Sequence, residues 1–273
     1  MRPSPATVLS IQSAELRRGD RTLWSGLNLE LAAGECVAVL GANGAGKSSL
    51  LRAILGELRL SAGSITVSAA DDADRVNGSP AIGYVPQHYA AADGVPIRAG
   101  DLIGLAVDGN RFGIPWPSRS RRERVQDTLA EVDATELSQL PVARLSGGQQ
   151  QRIRIGQALA ADPSLLLCDE PFGSLDLSQQ RTVAELIERR CREHHTAVLL
   201  VTHDVNPVLG MVDRVLYLAA GRFCIGTVEE VMRSEVLSEL YGSPVEVLNV
   251  NGRLVVLGTT EDPHEHGRVH HHG

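Results

Sequence analysis

The chain has 273 residues, of which 43% are hydrophobic and 22% charged, so it can supply the buried core of a large α/β domain. A net charge of −7 and an aromatic content of 3% argue against a basic, base-stacking surface for nucleic acid. No apolar run approaches the roughly 18 residues of a membrane-spanning helix, and the N-terminus lacks the apolar segment of a signal peptide. The four cysteines are scattered without a C-x-x-C spacing, so we expect most of them to be buried thiols in a reducing compartment.

The N-terminal third of the chain predicts β structure that leads into a phosphate-binding loop. Residues 7–31 contain short apolar runs separated by a turn signal at 18–21, which predicts a hairpin-rich region. The run Gly41-Ala42-Asn43-Gly44-Ala45-Gly46-Lys47-Ser48 then fits the pattern G-x-x-x-x-G-K-[ST]. A strand predicted at 35–40 precedes this run and an amphipathic helix predicted from Ser49 follows it. This context favours a true phosphate loop over a glycine-rich turn that matches by chance.

The chemistry of this loop follows from its residue types. Glycines let the backbone bend so that several N–H groups face one phosphate chain, and the helix dipole adds positive potential at the same point. We expect Lys47 to reach the β- and γ-phosphates of a nucleotide and the Ser48 hydroxyl to bind Mg²⁺.

The middle of the chain predicts one further strand and a helical subdomain. The strand at 81–87 stops at Pro86 and leaves Gln87 at its carboxyl end, where an amide could contact a metal ion or water beside the γ-phosphate. An ordinary solvated loop glutamine is the equal alternative. Residues 96–144 predict helices, with a basic cluster at 119–124 that we interpret as a solvated helix face rather than a partner, phosphate or lipid contact.

The next segments predict a second anion site and an acidic strand end. Ser146, Gly147 and Gly148 open a helix that runs to about 161, although a Ser-Gly-Gly turn is specific only beside a phosphate loop. The apolar strand that follows ends in Asp169, which we expect to hold Mg²⁺ through water, and Glu170, which is placed to accept a proton from an attacking water. Simple helix capping is the alternative for both.

The remaining elements complete a parallel sheet. Asp176 is placed to cap a helix predicted at 177–191. His203 follows the apolar strand at 197–201, so it should point into the same crevice and could donate a hydrogen bond to the γ-phosphate, although a lone histidine is usually structural. A hairpin at 214–226, a single amphipathic helix at 228–241 and a short β segment at 245–257 follow.

The C-terminal tail is rich in histidine. Five of the nine histidines of the chain lie in its last ten residues, and they are His264, His266, His270, His271 and His272. A flexible histidine tract can bind Zn²⁺ weakly through neutral imidazoles, while an incidental disordered tail or a piece of an expression tag is the alternative.

As a set, these motifs resemble the ATP-binding subunits of ABC transporters over residues 7–245. The resemblance assigns Walker A to Gly41–Ser48, the Q-loop to Gln87, the LSGGQ signature to Leu145–Gln149, Walker B to Leu165–Glu170, the D-loop to Ser174–Asp176 and the H-loop to His203. It implies an α/β fold of the P-loop NTPase type, with a mixed sheet, an antiparallel β subdomain and a helical signature subdomain at about 96–160. A short β extension at 246–260 and the tail at 261–273 follow.

The resemblance also implies an ATPase that uses ATP and Mg²⁺ and works as a homodimer. Two subunits enclose two ATP molecules head to tail, so that Walker A of one faces the signature of the other. Glu170 activates water, Gln87 and His203 position the phosphate and the water, and Ser48, Gln87 and Asp169 hold Mg²⁺. The nucleotide would contact Gly41, Ala42, Asn43, Gly44, Ala45, Gly46, Lys47, Ser48, Ser49, Arg18, Ser146, Gly147, Gly148, Gln149 and Asp176. Arg18 departs from the family, because it stands where an aromatic residue usually stacks on adenine.

The expected partners and substrate also come from resemblance. The segment 235–245 is similar to the ending of importers for zinc, manganese and iron chelates, and residues 204–208 and the histidine tail fit the zinc and manganese branch. We therefore expect a zinc-importer ATPase at the cytoplasmic face of the membrane, with permease subunits and an extracytoplasmic metal-binding protein as partners and no nucleic acid. Import of manganese, or of an iron siderophore or cobalamin, is the alternative.

Two readings from other classes remain. A soluble ABC ATPase of DNA repair or of the ribosome is disfavoured by the single cassette, the acidic balance and the lack of heptads. A metal-binding regulator with a vestigial ATP site is disfavoured by the intact Lys47, Asp169, Glu170 and His203.

Overall fold

The strands of the protein form three sheets in the computed structural model, which describes residues 6–68, 82–87, 97–108 and 118–258. The loop predicted at 69–80, the break predicted at 114–117 and the histidine tail lie outside these residues. The strands are β1 Thr7–Arg18, β2 Arg21–Ala32, β3 Cys36–Gly41, β4 Ala62–Val67, β5 Ile82–Val85, β6 Leu165–Asp169, β7 Ala197–Val201, β8 Arg214–Ala219, β9 Arg222–Gly226, β10 Val245–Val250 and β11 Arg253–Gly258. The helices are α1 Lys47–Ile54, α2 Ala99–Asp108, α3 Arg119–Glu131, α4 Gly147–Leu159, α5 Leu177–Glu193, α6 Val228–Val231 and α7 Ser234–Tyr241.

The central sheet has the order β5-β6-β7-β3-β8-β9, and its pairs are parallel except for the closing antiparallel pair of β8 and β9. All residues of β6 and β7 are buried, since both faces of this sheet are covered. The mixed sheet predicted from the sequence is therefore confirmed.

A second, antiparallel sheet has the order β2-β1-β4 and covers one face of the central sheet. Its strands alternate buried and exposed positions, as a half-buried sheet requires. The inner side chains join those of α1 in one hydrophobic cluster that includes Leu9, Leu27, Leu50 and Leu51. This is the antiparallel β subdomain that the sequence predicted.

The opposite face of the central sheet carries the helical part of the molecule. Helix α4 packs closely on α2 and the end of α3. Gly156 makes this approach possible, since a Cβ there would lie 3.2 Å from side-chain atoms of Ile103 and Val132. The buried guanidinium of Arg190 in α5 then binds Thr196 at 2.8 Å and Glu131 at 3.1 Å, and it also pairs with Asp162. This network fixes the helical subdomain to the core.

The C-terminal region differs from the prediction in one respect. The prediction of a single helix at 228–241 is wrong. Met232 leaves helical geometry (φ −83°, ψ 59°) and separates α6 from α7. Helix α6 has its own capping box, in which Thr227 and Glu230 exchange hydrogen bonds, so this short helix is locally stabilised. The predicted β segment is a two-stranded hairpin of β10 and β11.

The cysteines follow the expectation for most of them. Cys36, Cys168 and Cys191 are buried, Cys224 is half-buried, and all four are free thiols. Burial raises the pKa of Cys191 to about 11, so this thiol is neutral near pH 7.

Candidate functional site

The phosphate loop, residues 41–48, connects β3 to α1 and depends on two glycines. Gly41 has a φ of 138°, and a Cβ there would lie 2.1 Å from the backbone oxygen of Leu218. Gly46 has a φ of 97° and precedes the first residue of α1. Since a side chain cannot be accommodated at Gly41, the loop needs glycine there for steric reasons as well as for its backbone angles.

Lys47 is the first residue of α1 and points back into the loop. Its side chain is buried, and Nζ donates hydrogen bonds to the backbone oxygens of Gly41 at 2.7 Å and Ala42 at 3.2 Å. Burial lowers the pKa of Lys47, and the carboxylates of Glu170 and Asp169 oppose that shift. The ammonium is therefore held inside the loop, close to two acidic groups.

The strands bring Asp169 to the same edge of the sheet as the loop. Asp169 ends β6 opposite Val201 of β7, and β7 pairs in parallel with β3, which leads into the loop. Oδ1 of Asp169 accepts a hydrogen bond of 3.1 Å from the Ser48 hydroxyl. A hydroxyl and a carboxylate are the hard oxygen ligands that Mg²⁺ takes together with water and phosphate oxygens, so this donor set fits the ion.

Glu170 and His203 form a pair beside this donor set. The backbone N–H of Glu170 donates to the oxygen of Val201 at 2.9 Å, while Oε2 lies 2.7 Å from Nδ1 of His203. Only 12% of the Glu170 side chain is exposed, against 70% for His203. The carboxylate is therefore sheltered and oriented by an imidazole that stays open to solvent.

The backbone at Glu170 is in an unusual conformation. Its φ is 50°, in the left-handed region that non-glycine residues rarely adopt. The strand thus ends at Asp169, and the chain turns so that consecutive carboxylates take different partners. Asp169 contacts Ser48, whereas Glu170 contacts His203.

The signature segment, residues 145–149, lies at the start of α4. Ser146 caps the helix by accepting from the N–H of Gln149 at 3.3 Å, and the Gln149 side chain accepts from the N–H of Ser146 at 2.9 Å. A Cβ at Gly148 would lie 2.8 Å from the side chain of Gln179 in α5, so these two helices approach closely here. A cleft of about 340 Å³ opens between α4 and α5, lined by Ser146, Gly148, Gln149, Arg152, Ser178, Gln179, Thr182 and Val183.

The structure thus brings together five of the sequence-predicted site residues and leaves the signature segment apart from them. The first group is Lys47, Ser48, Asp169, Glu170 and His203, whereas the contacts of Ser146 and Gly148 are within α4 and with α5. Asp176 caps α5 by accepting from the N–H of Gln179 at 2.9 Å, which confirms the predicted cap.

The other predicted positions make fewer contacts or lie outside the described residues. Gln87 follows β5, the neighbour of β6, and its exposed side chain makes no hydrogen bond within the described part of the chain. Arg18 is exposed, and its backbone lies opposite that of Arg21 at the end of the hairpin of β1 and β2. The five tail histidines lie outside the described residues.

Sequence reasoning missed the support beneath the loop. Trp24 is fully buried, and a Cβ at Gly46 would lie 3.0 Å from its indole nitrogen, so the ring packs directly under the loop. Sequence reasoning also gave no role to Asn206, which binds the C-terminal hairpin. Neither feature has a motif, because each contact joins segments that are distant in sequence.

Within the described residues, no group of three or more His, Cys, Asp or Glu side chains could hold a metal ion. Within the same residues, no helix has the length and apolarity needed to cross a bilayer.

Comparison with known protein families gives a match over residues 24–173 to the family described as ABC transporter, which is more than half of the chain. The chain belongs to the ABC transporter family. It is an ATP-binding cassette that hydrolyses ATP, and cassettes of this kind bind the nucleotide generally with Mg²⁺. The phosphate loop and the Ser48 and Asp169 pair are the parts of the chain with the chemistry for both ligands.

Relatives of this ABC cassette serve different substrates at similar identity. The zinc import ATP-binding protein ZnuC of Paramagnetospirillum magneticum is 33% identical, with 88% of this chain and 84% of the relative covered. The hemin import ATP-binding protein HmuV of Pseudomonas aeruginosa is 36% identical, with 88% and 94% covered. The sulfate/thiosulfate import protein CysA of Nocardia farcinica is 32% identical, with 91% and 73% covered. The chain spans 64% of the length of the sulfate/thiosulfate import protein CysA of Bordetella bronchiseptica.

Solved ABC structures have the same fold. An inward-facing ABC transporter, assigned provisionally to the metal-chelate type, has a TM-score of 0.78 and 26% identity, with 94% of this chain and 99% of that chain covered. A dimeric bacterial ABC transporter cassette has a TM-score of 0.66 and 25% identity, with 81% and 98% covered. The predicted ABC ATPase fold is confirmed by these neighbours.

Proposed function

We propose that this chain hydrolyses ATP to power the import of a metal ion. The side chains that carry out the hydrolysis are those of Lys47, Ser48, Asp169, Glu170 and His203. The observation that carries the ATPase part of this proposal is the hydrogen-bonded arrangement around the phosphate loop. Lys47 neutralises phosphate charge, and to do so Nζ exchanges its bonds to Gly41 and Ala42 for phosphate oxygens. The N–H groups of the loop and of the first turn of α1 hold the remaining oxygens.

Glu170 acts as the general base in this proposal. Its sheltered carboxylate takes a proton from the attacking water, while His203 orients the carboxylate and the γ-phosphate. Ser48 and Asp169 would hold Mg²⁺, which supplies charge neutralisation at the phosphate oxygens. Gln87 lies at the same sheet edge and completes the water-positioning groups when the nucleotide is bound.

A second copy of the chain supplies the signature segment. Ser146 and Gly148 open α4, whose N-terminal N–H groups and dipole suit an anion, yet their contacts within one chain are with α4 itself and with α5. A homodimer in which α4 of one subunit faces the phosphate loop of the other completes two ATP sites at once. The dimeric bacterial cassette with 25% identity supports dimerisation as such.

Permease subunits are the proposed membrane partners. Hydrolysis removes the phosphate that bridges the two copies, and the helical subdomain transmits the reopening to the permease. An extracytoplasmic metal-binding protein would deliver the substrate to that permease.

Zinc is the proposed substrate. The zinc import relative is 33% identical, and the solved transporter assigned provisionally to the metal-chelate type has a TM-score of 0.78, against 0.66 for the dimeric cassette described above. Manganese is the first alternative.

An iron chelate is the second candidate, and one specific observation favours it. The hemin relative is 36% identical and is covered over 94% of its length, the highest coverage among the relatives described above. An importer of hemin, an iron siderophore or cobalamin is therefore the alternative to a metal-ion importer.

Uptake measurements in cells separate these substrates. A strain that lacks this chain should lose accumulation of radioactive zinc and growth under zinc chelation, and the wild-type chain should restore both. Lys47→Ala should restore neither, whereas Glu185→Gln, which changes an exposed carboxylate of α5, should act as wild type. Normal zinc uptake together with lost uptake of manganese or of an iron chelate would remove the zinc assignment.

A further inference from the structure

The side chain of Asn206 bonds the C-terminal hairpin to the loop that carries His203. Oδ1 of Asn206 accepts from the backbone N–H of Leu254 at 2.8 Å, and Nδ2 donates to the backbone oxygen of Leu254 at 2.9 Å. The amide therefore pairs with one residue of β11 in the way that a neighbouring strand would. Both backbone groups of Leu254 are satisfied by this one side chain.

The same amide continues into the loop after β7. Asn206 Nδ2 donates to Oδ1 of Asp204 at 2.6 Å, and that oxygen also accepts from the backbone N–H of Asn206 at 2.9 Å. The Thr202 hydroxyl then donates to the backbone oxygen of Asp204 at 2.9 Å. Thr202 is buried, and its N–H donates to Val39 of β3 at 3.2 Å. The residues on both sides of His203 are thus fixed by short polar contacts.

The hairpin has its own attachment to the core, so it can act as a fixed support. The Ser238 hydroxyl bonds both backbone groups of Val245, at 2.9 and 3.1 Å, and the Ser234 hydroxyl accepts from Val247 at 2.9 Å. The side chains of Val247 and Leu254 pack against the main hydrophobic cluster. These contacts do not involve Asn206, so losing its amide should leave the hairpin in place.

We propose that Asn206 is a positioning residue for ATP hydrolysis. It ties the hairpin at 245–258 to the loop at 202–206, and through that loop it holds His203 at 2.7 Å from the carboxylate of Glu170. This inference rests on the proposed role of His203 in hydrolysis. It gives the C-terminal hairpin a place in the reaction cycle, as the support against which the His203 loop is held.

The test uses Asn206→Ala in the full chain with its permease partners, and Asn249→Ala as the matched control. Asn249 accepts from Gly252 within the hairpin turn and does not reach the His203 loop. Asn206→Ala removes two bonds to the hairpin and should lower kcat for ATP hydrolysis about tenfold, with KM for ATP unchanged. Amide hydrogen exchange at 202–206 should become faster. Asn249→Ala should leave kcat and this exchange as in wild type.

A double variant separates positioning from general destabilisation. In the His203→Ala background, Asn206→Ala should cause no further fall in kcat, because the group that it positions is gone. If Asn206→Ala does not fold, Asn206→Asp keeps the acceptor for Leu254, loses the donor, and should also lower kcat.

Three results would overturn the inference. The first is a kcat for Asn206→Ala equal to wild type, and the second is a fall of the same factor with and without His203. The third is unchanged hydrolysis in His203→Ala, which would also remove the proposed role of His203. A normal effect of His203→Ala beside a neutral Asn206→Ala removes the inference alone.

Discussion

The phosphate loop and the signature segment are both helix N-termini suited to anions, yet within the described part of the chain only the loop is surrounded by reactive groups. Around the loop, Lys47 binds backbone oxygens, Ser48 binds Asp169 and Glu170 binds His203. At the signature, Ser146 and Gln149 bind each other, and among the described residues the start of α5 lines the cleft beside them.

The difference supports the proposal that the two regions are halves of a composite site. The loop has a lysine, a hydroxyl and carboxylates, whereas the signature offers a helix N-terminus without an acid or base of its own. In that proposal one chain binds the nucleotide at its loop and a second chain closes the site.

The largest effect is expected from Glu170→Gln. Losing the general base should slow ATP hydrolysis ~10²–10⁴-fold while nucleotide binding stays intact. ATP should then hold the two copies together, so size-exclusion chromatography with ATP should give a stable dimer. Glu185→Gln is the control. Unchanged phosphate release in Glu170→Gln would remove Glu170 from the mechanism.

Gly41→Ala should damage the loop half alone. A Cβ would clash with the backbone oxygen of Leu218 at 2.1 Å, so we expect a loss of at least about 2 kcal/mol in unfolding free energy and loss of nucleotide binding. Gly44→Ala is the matched comparison, since no atom lies within 4 Å of its Cβ and only the backbone strain of about 1–2 kcal/mol applies. Denaturant unfolding measures the unfolding free energy of both variants. Equal losses in the two variants would show that the close approach to Leu218 does not contribute to the cost at Gly41.

Ser146→Ala should damage the signature half alone. The variant loses the cap of α4, worth about 1 kcal/mol. It also loses the hydroxyl that, in the proposed dimer, donates to the phosphate of the ATP bound by the other copy. We expect hydrolysis to fall about tenfold or more, with unchanged nucleotide affinity of the isolated subunit. Weaker binding to the monomer, measured by titration calorimetry, would contradict the separation of the two halves.

The smallest effect concerns the far end of α4, where Asp162 pairs with buried Arg190. Burial raises the pKa of Asp162, but the hydrogen bond and charge of Arg190 outweigh it, so the pKa is lowered. Its contribution to stability is present above the ordinary value of 3.8 and is lost as pH falls through the lowered value. Asp162→Asn should cost less than about 1 kcal/mol at pH 7, because the carboxylate is mostly exposed, and nothing in strong acid. A cost that persists in strong acid in thermal melts would contradict this assignment.

Motifs with local geometry could be predicted from the sequence. The loop, the acidic strand end and the cap at Asp176 each depend on residues within a few positions, so spacing and residue type were sufficient. The order of the sheet strands and the break at Met232 depend on packing between distant segments. Packing between distant segments also decides three features of the site. They are the left-handed backbone at Glu170, the indole of Trp24 below Gly46 and the Asn206 bonds to Leu254.

Mixing two defective variants tests most directly whether two copies build each site. Lys47→Ala lacks the loop half and Ser146→Ala lacks the signature half, so each homodimer should hydrolyse ATP poorly. A mixed dimer contains one intact pair of halves, and phosphate release from the mixture should rise clearly above that of either variant alone. If the mixture shows dimers of both chains but no gain in hydrolysis, the site is not shared between copies in this way.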